Sequence, residues 1–89
     1  MTTPQTVNVL ELFTQAAYEV DGKKLTGLTK DTIISTLGMD SVAVMELVSY
    51  FEEKLSVRIP DEELGKIRTV GDLAESLKKL APAGTTITA

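Results

Sequence analysis

The sequence predicts an all-α fold, a small four-helix bundle with a long loop between the first two helices and a short third helix. Three observations carry that prediction. Apolar residues recur at three- and four-residue steps in three separate stretches. Residues that start or stop helices, among them Gly22, Asp40, Pro60 and Thr69, bracket those stretches. No stretch alternates apolar and polar residues as a half-buried strand would.

The first helix is expected from about Thr6 to Val20, where Val7, Leu10, Phe13, Ala17 and Val20 share one face. Asp21-Gly22 ends it, because glycine tolerates the left-handed conformation of a helix C-terminus. Residues 21–40 form the long connection. Ile33, Ile34 and Leu37 are spaced to make one helical turn within it, started by Thr29 or Asp31. The second helix begins at Asp40-Ser41 and runs to about Leu55, burying Val44, Leu47, Val48, Phe51 and Leu55. Pro60 closes the following stretch, since it lacks a backbone donor and pushes Ile59 toward an extended conformation. Asp61-Glu62-Glu63-Leu64 opens the third helix, with Asp61 as its cap. The fourth begins at Thr69, which stands in capping-box spacing to Asp72, and buries Val70, Leu73, Leu77 and Leu80. The whole of residues 1–89 reads as one domain, ordered over about 6–80, with 1–5 and 82–89 as frayed tails.

Composition removes several function classes. Hydrophobic residues at 43% and charged residues at 25% argue for a globular chain and against a disordered one. With no cysteine and no histidine, the chain has no disulfide, no thiolate nucleophile, no imidazole base and none of the usual zinc ligands. A self-contained enzyme and a metal site are therefore not expected. Neither a basic, apolar leader nor an apolar run of membrane-spanning length is present, so the expected location is the cytoplasm.

The formal net charge of −4 is unevenly spread. Residues 40–63 hold seven acids against two bases, while residues 64–89 hold two acids against four bases. The central segment repels nucleic acid and attracts basic protein surfaces. Taken alone, such a cluster reads first as a solvated helix face.

The stretch Leu37-Gly38-Met39-Asp40-Ser41-Val42-Ala43-Val44-Met45-Glu46-Leu47 holds the candidate chemistry. Gly38 permits a tight turn out of the loop, and Asp40 and Ser41 sit where a helix begins. A phosphate on a hydroxyl there would be stabilised by the free first-turn N–H groups and the helix dipole, the latter by about 0.3–1 kcal/mol. Ser41 has no neighbouring histidine or lysine to activate it, so it suits modification by another enzyme better than nucleophilic catalysis. Taken alone, the Asp-Ser pair also reads as an ordinary helix cap.

The surrounding pattern resembles the acyl carrier protein family. Leu37-Gly38-Met39-Asp40-Ser41-Val42 and Met45-Glu46-Leu47-Val48 resemble its Leu-Gly-x-Asp-Ser-Leu signature and the helix core that follows. Phe51-Glu52-Glu53-Lys54-Leu55, Ile59-Pro60-Asp61-Glu62-Glu63 and Ile67-Arg68-Thr69-Val70-Gly71-Asp72-Leu73 are similar to successive later segments, in order, over roughly Leu10 to Leu80.

The resemblance implies that Ser41, preceded by Asp40, carries 4′-phosphopantetheine derived from coenzyme A. The tip thiol of that arm would hold acyl groups as thioesters. It implies a phosphopantetheinyl transferase as partner, with Mg²⁺ belonging to that enzyme. Acyltransferase, ketosynthase or acyl-activating enzymes with basic docking patches would follow, and the carrier would be a monomer. Helix two would be the docking surface, through Val42, Met45, Glu46, Glu52, Glu53 and Asp61. For each of these a solvated charge or a half-buried aliphatic is the plain alternative. Val44 would border a cavity for the acyl chain.

Two departures bear on the pathway. Val42 replaces the family's usual leucine, and Ala43 stands where fatty-acid carriers usually have an acid, while Lys54 and Arg58 dilute the negative face. These point to a polyketide or hybrid biosynthetic carrier. A fatty-acid synthesis carrier, a peptidyl, aryl or aminoacyl carrier, and a helical adaptor without a prosthetic group stay open.

Overall fold

The computed structural model describes residues 5–89. The elements in chain order are β1 (Gln5–Asn8), α1 (Val9–Asp21), a 3-10 turn (Ile34–Leu37), α2 (Ser41–Leu55), α3 (Asp61–Leu64), α4 (Val70–Leu80) and β2 (Thr85–Thr88). The four expected helices are present in the expected order, with the short third helix and the long first connection.

Phe13 of α1 and Phe51 of α2 meet at the centre, both fully buried, with ring centroids 6.2 Å apart and planes tilted by 47°. Val9, Ala16 and Ala17 of α1, Leu47 and Leu55 of α2, and Val70, Leu73, Ala74 and Leu77 of α4 close around them. Ala43 is also buried and Val44 only half-buried. The core stripe of α2 is therefore turned toward Ala43 compared with the expected one. An acid at position 43 would face the core, so Ala43 takes nothing from the acidic surface.

The first helix starts at Val9, not Thr6. Asn8 caps it, its Oδ1 accepting from the Glu11 N–H at 3.1 Å. Residues 5–8 instead form β1, which pairs in parallel with β2 in the register Gln5↔Thr85 to Asn8↔Thr88. This corrects two expectations, that strands are absent and that residues 82–89 fray. The Gln5 N–H donates to the Gly84 carbonyl at 2.8 Å, and the Thr88 hydroxyl donates to the Val7 carbonyl at 3.3 Å. A two-stranded ribbon is marginal by itself. Here the cross-strand pair Val7 and Ile87 is buried in the core, at 7% and 6% exposure. The expectation for residues 1–4 lies outside the described residues.

The long loop is tied to the fourth helix. The Gly71 N–H donates to the Lys30 carbonyl at 2.8 Å, the Val70 N–H to the Thr32 carbonyl at 3.0 Å, and the Ile34 N–H to the Arg68 carbonyl at 2.9 Å. The expected helical turn is the 3-10 turn, with Ile34 buried. Neither Thr29 nor Asp31 starts it. Ile33 does, without a side-chain cap, while the Thr29 N–H donates to the Thr32 hydroxyl in a separate turn. Gly38 ends the 3-10 turn at φ 77°, a conformation that favours glycine, and so delivers the chain to α2. Gly71 is required for a different reason. A Cβ there would lie 2.8 Å from the Lys30 carbonyl oxygen and 3.1 Å from its Cβ. Gly71→Ala is expected to force the loop off α4 and cost about 1–3 kcal/mol, visible as a lower urea midpoint. An unchanged midpoint would show that the loop gives way freely.

Helix α2 ends at Leu55 because Ser56 turns into the left-handed region at φ 53°, before Pro60 is reached. Pro60 opens α3, its carbonyl accepting from the Glu63 and Leu64 N–H groups at 2.9 and 3.1 Å. Asp61 is thus the first helical residue and not the cap, correcting the expectation.

Glu63 fastens α3 to α4. The buried Ser76 hydroxyl donates to its Oε2 at 3.0 Å, and the Lys79 ammonium donates to its Oε1 at 3.0 Å. Lys66 stands 3.8 Å from the same carboxylate. The Lys79 ammonium, then the Ser76 hydroxyl, hold this carboxyl below the ordinary glutamate value of 4.5. Asp72 is likewise held below 3.8 by the backbone N–H of Thr69 and then that of Arg68. The folded chain resists protonating both groups, so the unfolded chain binds protons first as pH falls. Their stabilisation is complete above the unfolded values and is lost as pH drops through the lower folded ones. Glu63→Gln should therefore flatten the fall in stability between about pH 5 and pH 3, read from urea midpoints. An acid slope equal to that of the parent chain would refute the linkage.

Candidate functional site

Gly38 and the 3-10 turn bring the chain to Asp40, whose extended backbone and side chain start α2. Its Oδ1 accepts from the Ala43 N–H at 2.8 Å, and its carbonyl accepts from the Val44 N–H at 2.9 Å. Asp40 is therefore the cap, with its carboxylate held against the helix end. Ser41 is the first helical residue and is exposed. Its own N–H and that of Val42 have no acceptor within the helix, as first-turn donors never do. An anion bonded to the Ser41 oxygen sits beside those donors and the positive end of a 15-residue helix dipole.

Ser41 stands on a ridge between two clefts. The outer one, about 550 Å³, also takes in Val20, Val42, Met45, Glu46, Ser49, Tyr50 and Glu53. Val42 and Met45 are 66% and 54% exposed there, an apolar pair that no core contact explains. Of the expected docking residues, the structure gathers Val42, Met45, Glu46 and Glu53 with Ser41 on this face. Asp61 and Glu52 lie in a neighbouring groove that shares Met45 and Glu53 and contains Arg58. Glu52 has a structural task as well, since its Oε2 accepts from the Ile59 N–H at 2.7 Å and braces the α2–α3 connection. Lys54 lies over the Tyr50 ring, 5.5 Å from its centroid.

The inner cleft, about 530 Å³, runs from Ser41 between α2, α3 and the 3-10 turn. Its walls are Ile34, Met39, Val44, Leu47, Val48, Leu64, Ile67 and Leu73, with Ile33, Ser35, Met45 and Arg68 completing the lining. Val44 thus borders a cavity, as expected. Ser35, Leu64, Ile67 and Arg68 were not singled out in the sequence. Leu64, Ile67 and Arg68 stand in segments noted only for their order along the chain, Ser35 carries no local signal, and all these segments are too short to assign a partner. Among the described residues no cluster of three or more carboxylates could hold a metal.

A family model described as the phosphopantetheine attachment site matches residues 11–77. The chain is a member of the acyl carrier protein family. It is 35% identical over 71 residues to the acyl carrier protein of Rhodococcus erythropolis, covering 79% of this chain and 78% of that one. It is 49% identical over 45 residues to the acyl carrier protein of Wolinella succinogenes, covering 51% of this chain and 59% of that relative. In three dimensions it is similar to the crystal structure of an acyl carrier protein from Thermotoga maritima, with a TM-score of 0.73 and 38% identity over 80% of this chain and 84% of that one.

Acyl carrier proteins are carriers and not catalysts, and their prosthetic group is covalent 4′-phosphopantetheine. Membership accounts for a chain with no histidine, no cysteine and no metal cluster among its described residues: the reactive sulfur belongs to the group. The family works with a phosphopantetheinyl transferase and acyl-handling enzymes. Among the described residues no helix is long and apolar enough to cross a membrane. The β1–β2 ribbon lies outside the matched span of residues 11–77.

Proposed function

We propose that Ser41 Oγ bears the phosphopantetheine arm and that the carrier presents its thioesters to partner enzymes through the outer face of α2. The observation that carries this reading is the exposed hydroxyl at the first residue of α2, inside the matched span and between the two clefts. In the transfer, the serine oxygen forms a bond to phosphorus, the coenzyme A pyrophosphate bond breaks, and adenosine 3′,5′-bisphosphate leaves. The partner enzyme supplies the base, since the chain has no histidine. When bound, the arm supplies a thiol for thioester exchange. The first-turn donors of α2 steady the phosphodiester, Val42 and Met45 offer an apolar contact, and Glu46, Glu53 and Asp61 draw basic patches and set orientation. Asp40 keeps the helix end in place.

Within this reading the carrier serves polyketide or hybrid biosynthesis as a cytoplasmic monomer. Val42 after the serine and the cation Arg58 in the acidic groove favour that assignment over fatty-acid synthesis, whereas Lys54 lies apart, beside β1 and α1. The test is loading. Incubation with coenzyme A, Mg²⁺ and a broad-specificity phosphopantetheinyl transferase should add one phosphopantetheine by intact mass, and Ser41→Ala should abolish it. No gain, or a gain that survives Ser41→Ala, would overturn the assignment. Full activity of the loaded chain with fatty-acid synthase enzymes, and none with polyketide enzymes, would overturn the pathway.

A further inference from the structure

We propose that Arg68 makes the inner cleft selective for acyl chains that end in a carboxylate, an inference that rests on Ser41 carrying the arm. Arg68 is the one charged residue among those lining the cleft, and it is a cation on a chain of net charge −4. The outer face carries Glu46 and Glu53 and no cation, and the adjoining groove carries Glu52, Glu53 and Asp61 against the single cation Arg58. An anionic acyl end is therefore repelled on one side of Ser41 and attracted on the other.

The Arg68 backbone is held in place, while its side chain is exposed, acts on Asp72 only through its charge and makes no close ion pair among the described residues. The Arg68 carbonyl accepts from the Ile34 N–H at 2.9 Å, and its N–H donates to Asp72 Oδ2 at 3.0 Å, so its backbone is pinned between the 3-10 turn and α4. The ion pairs among the described residues all use lysines, Lys66, Lys78 and Lys79. Asp72, the nearest acid in sequence, directs its carboxylate at the backbone N–H groups of Arg68 and Thr69. The guanidinium is left with a planar fork of donors that matches a carboxylate in two parallel hydrogen bonds. Arg68 is exposed, so water competes for the fork, and the apolar walls strengthen a pair only on the side that faces the cleft. The methylenes of a short dicarboxylic chain pack on Val44, Leu64 and Ile67, and its free carboxylate reaches the cation. A saturated chain of the same length fills the walls and leaves Arg68 unpaired.

The test uses the full chain loaded by a phosphopantetheinyl transferase from glutaryl-coenzyme A or pentanoyl-coenzyme A, which differ only at the far end. The glutaryl form should shift the Arg68 Nε–H signal in NMR, whereas the pentanoyl form and the unacylated arm should not. Attack of hydroxylamine on the glutaryl thioester should be about threefold to tenfold faster in Arg68→Gln than in the parent, the scale of a partly exposed charge-assisted pair. Arg68→Lys should fall between, and the pentanoyl thioester should not respond to either change. A chain that loads but shows equal glutaryl rates in parent and Arg68→Gln overturns the selectivity alone. A shift already present with the unacylated arm also overturns it, assigning the cation to the phosphodiester. A chain that does not load at all overturns the reading of Ser41, and this inference falls with it.

Discussion

Phe51→Ala should remove about 3–5 kcal/mol of stability, the range for deleting a buried aromatic ring. Phe51 has no exposed surface and packs on Phe13, also fully buried, at the point where α1 and α2 meet. A domain of 89 residues holds only about 4–13 kcal/mol in total. Thermal unfolding should therefore come at least about 12 °C lower, with part of the population unfolded at room temperature. Loading of Ser41 should fall in step, although Ser41 lies at the opposite end of α2 from the ring's local neighbourhood, because the transferase needs a formed helix end. A thermal midpoint within about 4 °C of the parent would mean that the two rings are not the centre of the core.

Ile87→Ala should cost about 2–5 kcal/mol if the ribbon is an integral part of the domain. Ile87 is buried and faces Val7 across the parallel pair, and these are the buried residues of their two strands. Their apolar surface is what joins a marginal two-stranded ribbon to the bundle. The expected result is a lower urea midpoint together with fast amide exchange at Gln5, Val7 and Thr88, while α2 stays protected. Slow exchange in the ribbon of this variant would show that its hydrogen bonds hold without the buried pair. A stability equal to that of the parent would return residues 82–89 to the role of a tail.

The candidate site was legible because its determinants are local. Asp40 caps α2 through a bond to a residue three positions on, and Ser41 is exposed because it follows that cap. The capping box at Thr69 and Asp72 likewise closes within four residues, with reciprocal bonds of 3.0 and 3.1 Å. Such spacing is printed directly in the chain. The ribbon was hidden for the opposite reason. Val7 fits the helical spacing of Leu10, and the segment Thr85-Thr86-Ile87-Thr88 has one apolar residue and no local partner. Its strand character exists only in pairing with residues about eighty positions away. Asp61 looked like a cap by residue type, yet Pro60 takes that place, because the first residue to leave the extended conformation is decided by the backbone.

Local chain chemistry sets the four helices, the turn at Gly38, the exposed hydroxyl at the start of α2 and the acidic character of the segment around it, since each depends on neighbours within one or two turns. Long-range packing, in contrast, sets which side of Ser41 is acidic surface and which is an apolar cleft. It also dictates that Gly71 must admit the Lys30 carbonyl, that Glu63 binds Ser76 and Lys79, and that the two ends of the described chain join in a ribbon. These are contacts between residues far apart in the chain. Their energy comes from packing and desolvation at distances no local pattern encodes.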